Sequence, residues 1–191
     1  MPKLVIAQNR DADQLLSDSP LALLIGLVLD QQITLEKAFL APLLLRQRLG
    51  RELDAGYIAS LDPGELENIF SEKPALHRFP AAMAKRVQEV CSVVADKYGN
   101  DAFQIWQNAK DGTELLNRIK DLPGFGVMKA KIFLALLGKQ LGVDVPGWRE
   151  ASEPFGEPGS FRSIADITDM DSLAKVREFK TEMKATSKAH K

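Results

Sequence analysis

Leu122-Pro-Gly-Phe-Gly-Val-Met-Lys-Ala-Lys-Ile-Phe-Leu-Ala-Leu-Leu-Gly138 is the stretch around which the chain is best read. Upstream of it, Leu115, Leu116 and Ile119 share one helical face within residues 112–120. Pro123 cannot continue that helix and biases Leu122 toward extended geometry. Gly124 and Gly126 permit a tight turn with positive φ or a close backbone approach. A second helix follows, with Ala130, Phe133, Leu134 and Leu137 as its apolar stripe. The expected unit is helix, Gly-x-Gly hairpin, helix. The first N–H groups of the second helix have no partner within it and stand at the positive end of its dipole. Such a terminus accepts a phosphate when glycines keep side chains out of the way, and Lys129 and Lys131 add charge nearby. An ordinary αα-hairpin with a glycine turn is the plainer alternative.

The stretch resembles the helix-hairpin-helix motif of the base-excision DNA glycosylases, the superfamily of that hairpin and a Gly/Pro-rich loop followed by aspartate (HhH-GPD). The likeness covers roughly residues 19–145, is strongest at 20–36 and 112–144, and points to the alkylpurine branch. It implies an all-α fold. A helical barrel lobe would span 19–138, and residues 1–18 and 139–191 would form a second lobe with the Gly/Pro-rich loop, a C-terminal helix and a basic tail. The cleft between the lobes would hold the base. By the same resemblance, Gly124, Gly126, Val127, Lys129 and Lys131 would contact a DNA phosphate. A monovalent cation would sit on the backbone carbonyls of Lys120, Leu122 and Phe125.

Excision breaks the bond between a base and the sugar C1′, and the sugar develops positive charge. The site therefore needs a buried carboxylate close to C1′, which stabilises that charge and orients a water. The base must also be flipped out of the stack, at a cost of a few kcal/mol. The family's aspartate matches Asp144, in Leu141-Gly-Val-Asp-Val-Pro-Gly147, with Asp166 and Asp30 as substitutes. Asp144 lies closer to the hairpin than the family places it, and Val-Pro-Gly-Trp follows where the family starts a helix. Family members that also cleave the strand carry a lysine at the fifth position of Gly-x-Gly-x-x. Here that position is Met128, which would line the base pocket, and the neighbouring Lys129 points about 100° away around the helix. A monofunctional enzyme with water as nucleophile is the expectation.

Leu21–Leu29 is apolar on every side, as a central buried helix would be, with Ser19 as its cap and Pro20 in its first turn. Asp30-Gln-Gln-Ile-Thr34 follows, and Thr34 is placed to cap a helix over 35–49 that Pro42 interrupts or kinks and Gly50 closes. Either the glutamines cap helix ends in a solvated corner, or one of them fills the space of the displaced nucleotide, as the similar turn in alkylpurine glycosylases does. Gln31 and Gln32 are both candidates.

Composition narrows the class. With 191 residues and 45% hydrophobic content the chain can bury one core or two small lobes. The single Cys91 excludes a disulfide scaffold, a cysteine zinc site and an iron–sulfur cluster. Leu21–Leu29 is too short to span a bilayer, and Met1–Ile6 lacks the length of a signal peptide. A soluble, cytoplasmic, nucleoid-associated monomer is expected, with no membrane partner. Net charge is −1, yet residues 1–72 hold 6 basic and 11 acidic side chains, whereas 73–140 hold 11 basic and 6 acidic. The segment with the hairpin is the basic one, as a local phosphate-binding face requires.

The remaining chain reads as two short helices over 54–60 and 62–70, a longer one over 81–98 and another over 101–109, with Phe103 and Trp106 in the core. Lys3–Ile6 is the one strand-like run, His77 a solvated loop histidine, and 145–160 a Gly/Pro-rich passage. A last helix starts at Asp169 or Asp171 and frays into a basic tail from Lys184. The leading expectation is a DNA glycosylase acting on double-stranded DNA with alkylated or otherwise modified bases. A DNA-binding module that kept the hairpin without catalysis is the alternative, and a helical protein–protein adaptor the third.

Overall fold

In the computed structural model, capping chemistry sets most helix ends. The structure describes residues 3–190; Met1, Pro2 and Lys191, assigned above to the N-terminal segment and the basic tail, lie outside the described residues. Asn9 caps α1 (Arg10–Asp18), and Ser19 caps α2 (Pro20–Leu29), where the missing N–H of Pro20 costs nothing. Every residue of α2 from Leu21 to Leu29 is buried, so the helix is apolar all round because protein surrounds it. Thr34 caps α3 (Leu35–Leu49), which runs on through Pro42 and stops at Gly50 with a left-handed φ of 65°. Asp54 caps α4 (Ala55–Ser60), and Asp62 caps α5 (Pro63–Ser71). α6 (Pro80–Lys97) starts at a proline without a side-chain cap. Asp111 caps α7 (Gly112–Lys120), which leads through the glycine hairpin into α8 (Val127–Gln140). The short α9 (Trp148–Ala151), a 3-10 turn at Ile164–Asp166 and the long α10 (Met170–Ala189) complete the chain.

The architecture is all-α; no strand occurs among the described residues. α2 lies centrally, against α1, α3, α6 and a 3-10 turn at Ala102–Ile105. α4 and α5 pack on α6, α9 packs on both α7 and α8, and the Ile164–Asp166 turn bridges α8 and α10. The buried side chains form one continuous cluster from Leu4 to Val176. The N-terminal helix joins it at α2 and α3, the C-terminal elements at α7 and α8.

Close approaches at three glycines depend on missing side chains. A Cβ on Gly26 would stand 2.6 Å from the Phe39 ring, so α2 and α3 pack through that glycine. A Cβ on Gly112 would stand 2.5 Å from the Gly147 carbonyl oxygen, and one on Gly138 would stand 2.5 Å from the Trp148 ring. The start of α7 and the last turn of α8 are thereby clasped by residues 147 and 148.

Four expectations need correction. Lys3–Ile6 is buried in part but is not a strand. Its amides are taken by α1 side chains, with Ser17 Oγ accepting from Lys3 and Leu4 (3.0 and 3.1 Å) and Asp13 Oδ1 from Ile6 and Ala7 (2.8 and 2.7 Å). The helix expected over 101–109 shrinks to the 3-10 turn; Trp106 is buried there, but Phe103 is 42% exposed. His77 is buried, not solvated. The tail from Lys184 is helical to Ala189.

Because the atoms facing Gly112 are backbone, they cannot rotate away. Gly112→Ala is expected to destabilise the chain by about 1–3 kcal/mol, read as a lowered urea midpoint with an unchanged slope. An unchanged midpoint would show that the 147–148 clasp is not as tight as described.

Candidate functional site

The hairpin turns in a few residues. Leu122 N–H donates to the Ile119 carbonyl (3.1 Å) and Phe125 N–H to the Leu122 carbonyl (3.2 Å). Leu122 and Phe125 are buried, and Phe125 lies against Phe133 with ring centroids 6.1 Å apart. Gly124 has φ 83°, a left-handed conformation that suits glycine. Gly126 is the N-cap of α8, extended, and gives its amides no side-chain cap. A Cβ at Gly126 would meet nothing within 4 Å, and Val127 and Met128 are 52% and 69% exposed. The unpaired amides of the first turn therefore open to solvent. Arg86 of α6 lies across the hairpin: a Cβ on Gly124 would stand 3.0 Å from its Cδ and 3.1 Å from its Nη1.

Lys129 does not face solvent with them. Its Nζ donates to the Leu27 carbonyl at 2.8 Å, at the C-terminal end of α2, where the helix dipole favours a cation. The neighbouring carbonyls of α2 are taken by Gln31, whose side-chain amide donates to Val28 (2.9 Å) and whose N–H donates to Leu29 (2.7 Å). The hairpin helix and the Asp30–Thr34 turn are thus bonded to the same helix end.

Asp30 sits there, half-buried. Burial pushes its carboxyl above the usual range, and Lys180 and then Lys129 oppose the push. Burial pulls the Lys129 ammonium below its usual value, against Asp30 and with a smaller contribution from Arg86. His77 secures the turn from the other side. Phe79 N–H donates to its Nδ1 (3.0 Å), so Nε2 carries the proton and donates to the Gln31 carbonyl (2.9 Å). Burial pulls this imidazole below its usual value; the Gln31 and Leu29 carbonyls oppose the pull, and Lys37 and Lys129 add to it. Gln32 is left at the tip, exposed, in a left-handed backbone conformation with φ 56°. A non-glycine residue held there costs about 1–3 kcal/mol, and such strain gathers at functional sites.

Not every expected residue joins this group. Gly124, Gly126, Val127, Met128, Gln31 and Gln32 do. Lys129 joins it as a structural cap and not as a phosphate contact. Lys131 donates to the Glu153 carbonyl at 3.0 Å. Asp166 is a buried structural acid, bonded to Lys139 Nζ (2.5 Å) and to the amides of Arg162 and Ser163. Asp144 is exposed and follows the far end of α8. α8 is about 20 Å long at 1.5 Å per residue, and the residues from Gln140 to Asp144 reach back at most about 14 Å. The Val143 N–H, bonded to the Leu137 carbonyl at 3.1 Å, folds that stretch onto the helix end. Asp144 therefore does not meet the hairpin; the half-buried carboxylate beside it is Asp30. His77, Arg86 and Lys180 come from elements far along the chain, and no spacing in the sequence marks them.

Searches against protein-family models, curated proteins and solved structures find no match for the chain.

The raised proton affinity of Asp30 has a sign that can be checked. Well below pH 3.8, the ordinary value, the carboxyl is protonated in both the folded and the unfolded chain. As pH rises toward the higher folded value, the unfolded chain loses its proton first, and stability falls through that window. Asp30→Asn removes this loss, so its melting temperature should gain on wild type from pH 4 to pH 7. A constant difference across that range would exclude a strained carboxylate at this place.

Proposed function

We propose that the chain is a base-excision DNA glycosylase of the HhH-GPD type, monofunctional, acting on alkylated or otherwise modified bases in double-stranded DNA. The observation that carries the reading is the open, uncapped N-terminus of α8 beside a half-buried carboxylate. The amides after Gly126 would hold a backbone phosphate, with Arg86 supplying the adjacent positive charge. Gln32, exposed on its strained tip, would enter the duplex where the nucleotide leaves, and Met128 would offer polarizable surface to the base. Asp30 would stabilise the positive charge that develops on the sugar, in place of Asp144. The Lys129 amine is held on the Leu27 carbonyl and Met128 stands at the fifth position of the Gly-x-Gly motif, so water would be the nucleophile. A monovalent cation on the Lys120, Leu122 and Phe125 carbonyls belongs to the same reading. The Leu122 oxygen already takes one N–H, and its second lone pair is left for the ion.

The second reading, a DNA-binding module without catalysis, is favoured by one observation: the aspartate that matches the family's position is exposed at the far end of α8. Duplexes carrying alkylpurine, uracil, hypoxanthine or oxidised guanine, treated with alkali after incubation, separate the two. Base release by wild type and Asp144→Asn, lost in Asp30→Asn with duplex binding retained, is the outcome expected. Release lost in Asp144→Asn but not in Asp30→Asn would return the catalytic role to Asp144. Binding without release by wild type leaves the module.

A substitution at Gly126 tests the phosphate site without disturbing the fold. The space there is empty, and aspartate is a better N-cap than glycine, so Gly126→Asp should hold or raise the melting temperature. Its carboxylate would occupy the amides, and duplex affinity should fall at least about tenfold, or roughly 1.4 kcal/mol. Unchanged affinity would remove the hairpin from the interface.

A further inference from the structure

α10 continues well beyond the core. Val176 is its last buried residue, and every residue from Lys180 to Ala189 is exposed. On this projecting half Lys180, Lys184 and Lys188 recur at every fourth position. At about 100° per residue they share an arc of about 80°, and Glu178 and Glu182 lie more than about 100° from its middle. Charges of one sign are thus gathered on one face, although like charges four residues apart weaken a helix by about 0.2–0.5 kcal/mol per pair. Among the described residues no carboxylate forms an ion pair with any of the three lysines, whereas the preceding Arg177 is paired with Glu36 of α3.

The stripe has a direction. Arg177, one turn before Lys180, is paired with Glu36 in the first turn of α3, which directly follows the Asp30–Thr34 turn, and Lys180 acts on the Asp30 carboxyl from there. Lys184 and Lys188 stand one and two turns further out on the same face. The row therefore begins at the edge of the site formed by the Asp30 turn and the open hairpin and leads away from it. Lys180 and Lys188 are about 12 Å apart along the axis, the rise of three to four phosphates on one strand. Lipid is a poor fit, because among the described residues of this half Met183 is the only large apolar side chain exposed, and a membrane-surface helix needs an apolar face.

We propose that the projecting half of α10 is a second backbone-contacting arm, whose lysines follow the phosphates of the same duplex that the hairpin holds. This rests on the DNA-binding reading above. The contacts would be electrostatic and indifferent to sequence, so they add affinity and salt dependence but no base preference.

The test uses the full chain, a labelled lesion-free duplex and salt between about 50 and 200 mM. Lys184→Gln and Lys188→Gln are combined; glutamine keeps the helix propensity of lysine, and far-UV circular dichroism checks that the helix persists. Removing two phosphate contacts should lower the slope of log K against log salt by about 1.8, with weaker binding to every duplex sequence. An unchanged slope and affinity in a variant of intact helicity overturns the arm and leaves the hairpin reading standing. Failure of wild type to bind any duplex overturns the DNA reading and the arm with it. Loss of binding to phosphatidylserine vesicles with duplex binding unaltered assigns the stripe to a membrane and overturns the arm.

Discussion

The bond from Lys129 Nζ to the Leu27 carbonyl, 2.8 Å long and joining residues 102 apart in sequence, holds the candidate site together. α2 is buried on every side, so its last carbonyls are largely shielded from water, and a buried acceptor left alone costs about 1–3 kcal/mol. Three donors meet that demand: the ammonium of the hairpin helix and two groups of Gln31. The central helix, the turn after it and the hairpin therefore share one hydrogen-bonded corner. The ammonium is partly desolvated there, which offsets some of the gain, but the helix dipole and Asp30 favour its charge.

That corner explains the division of labour around it. A lysine bonded to carbonyls cannot at the same time hold a phosphate, so the positive charge at the hairpin surface falls to Arg86, brought over Gly124 from α6. Gln31 is used on both its amide groups and His77 grips its carbonyl. Only Gln32 is then left to project, in a backbone conformation it would not adopt on its own. The strain at Gln32 and the raised proton affinity of Asp30 are both local losses of stability. The surrounding packing sustains them.

Much of the fold was legible because local chemistry dictates it. Ser19 and Thr34 cap the helices expected to follow them, because their side-chain oxygens accept from the first turn, and Gly50 ends α3 in the left-handed conformation expected of it. The continuous apolarity of Leu21–Leu29 announced its burial. α1 was missed because its acidic first turn and short length hide the apolar positions Ala12, Leu15 and Leu16. Lys3–Ile6 looked like a strand because extended, apolar residues satisfy that pattern whether their amides meet a sheet or, as here, Asp13 and Ser17. The tail looked frayed because charge and a lack of apolar residues suggest it, but Leu173 and Val176 anchor the start of α10, and propagation from a formed helix carries it to Ala189.

By itself the sequence determined the all-α class, the placing of the central helix and the glycine hairpin with its open helix terminus, because capping, periodicity and glycine conformation act over a few residues. Tertiary structure decided which side chains stand at that terminus. Lys129 turned inward, Asp144 was carried to the far end of a rigid helix, and Asp30, His77, Arg86 and Lys180 were gathered from four separate elements. The reason is physical: where a charge rests depends on which buried carbonyls need a donor and how long the intervening helices are, and neither quantity is written in any short window of the chain.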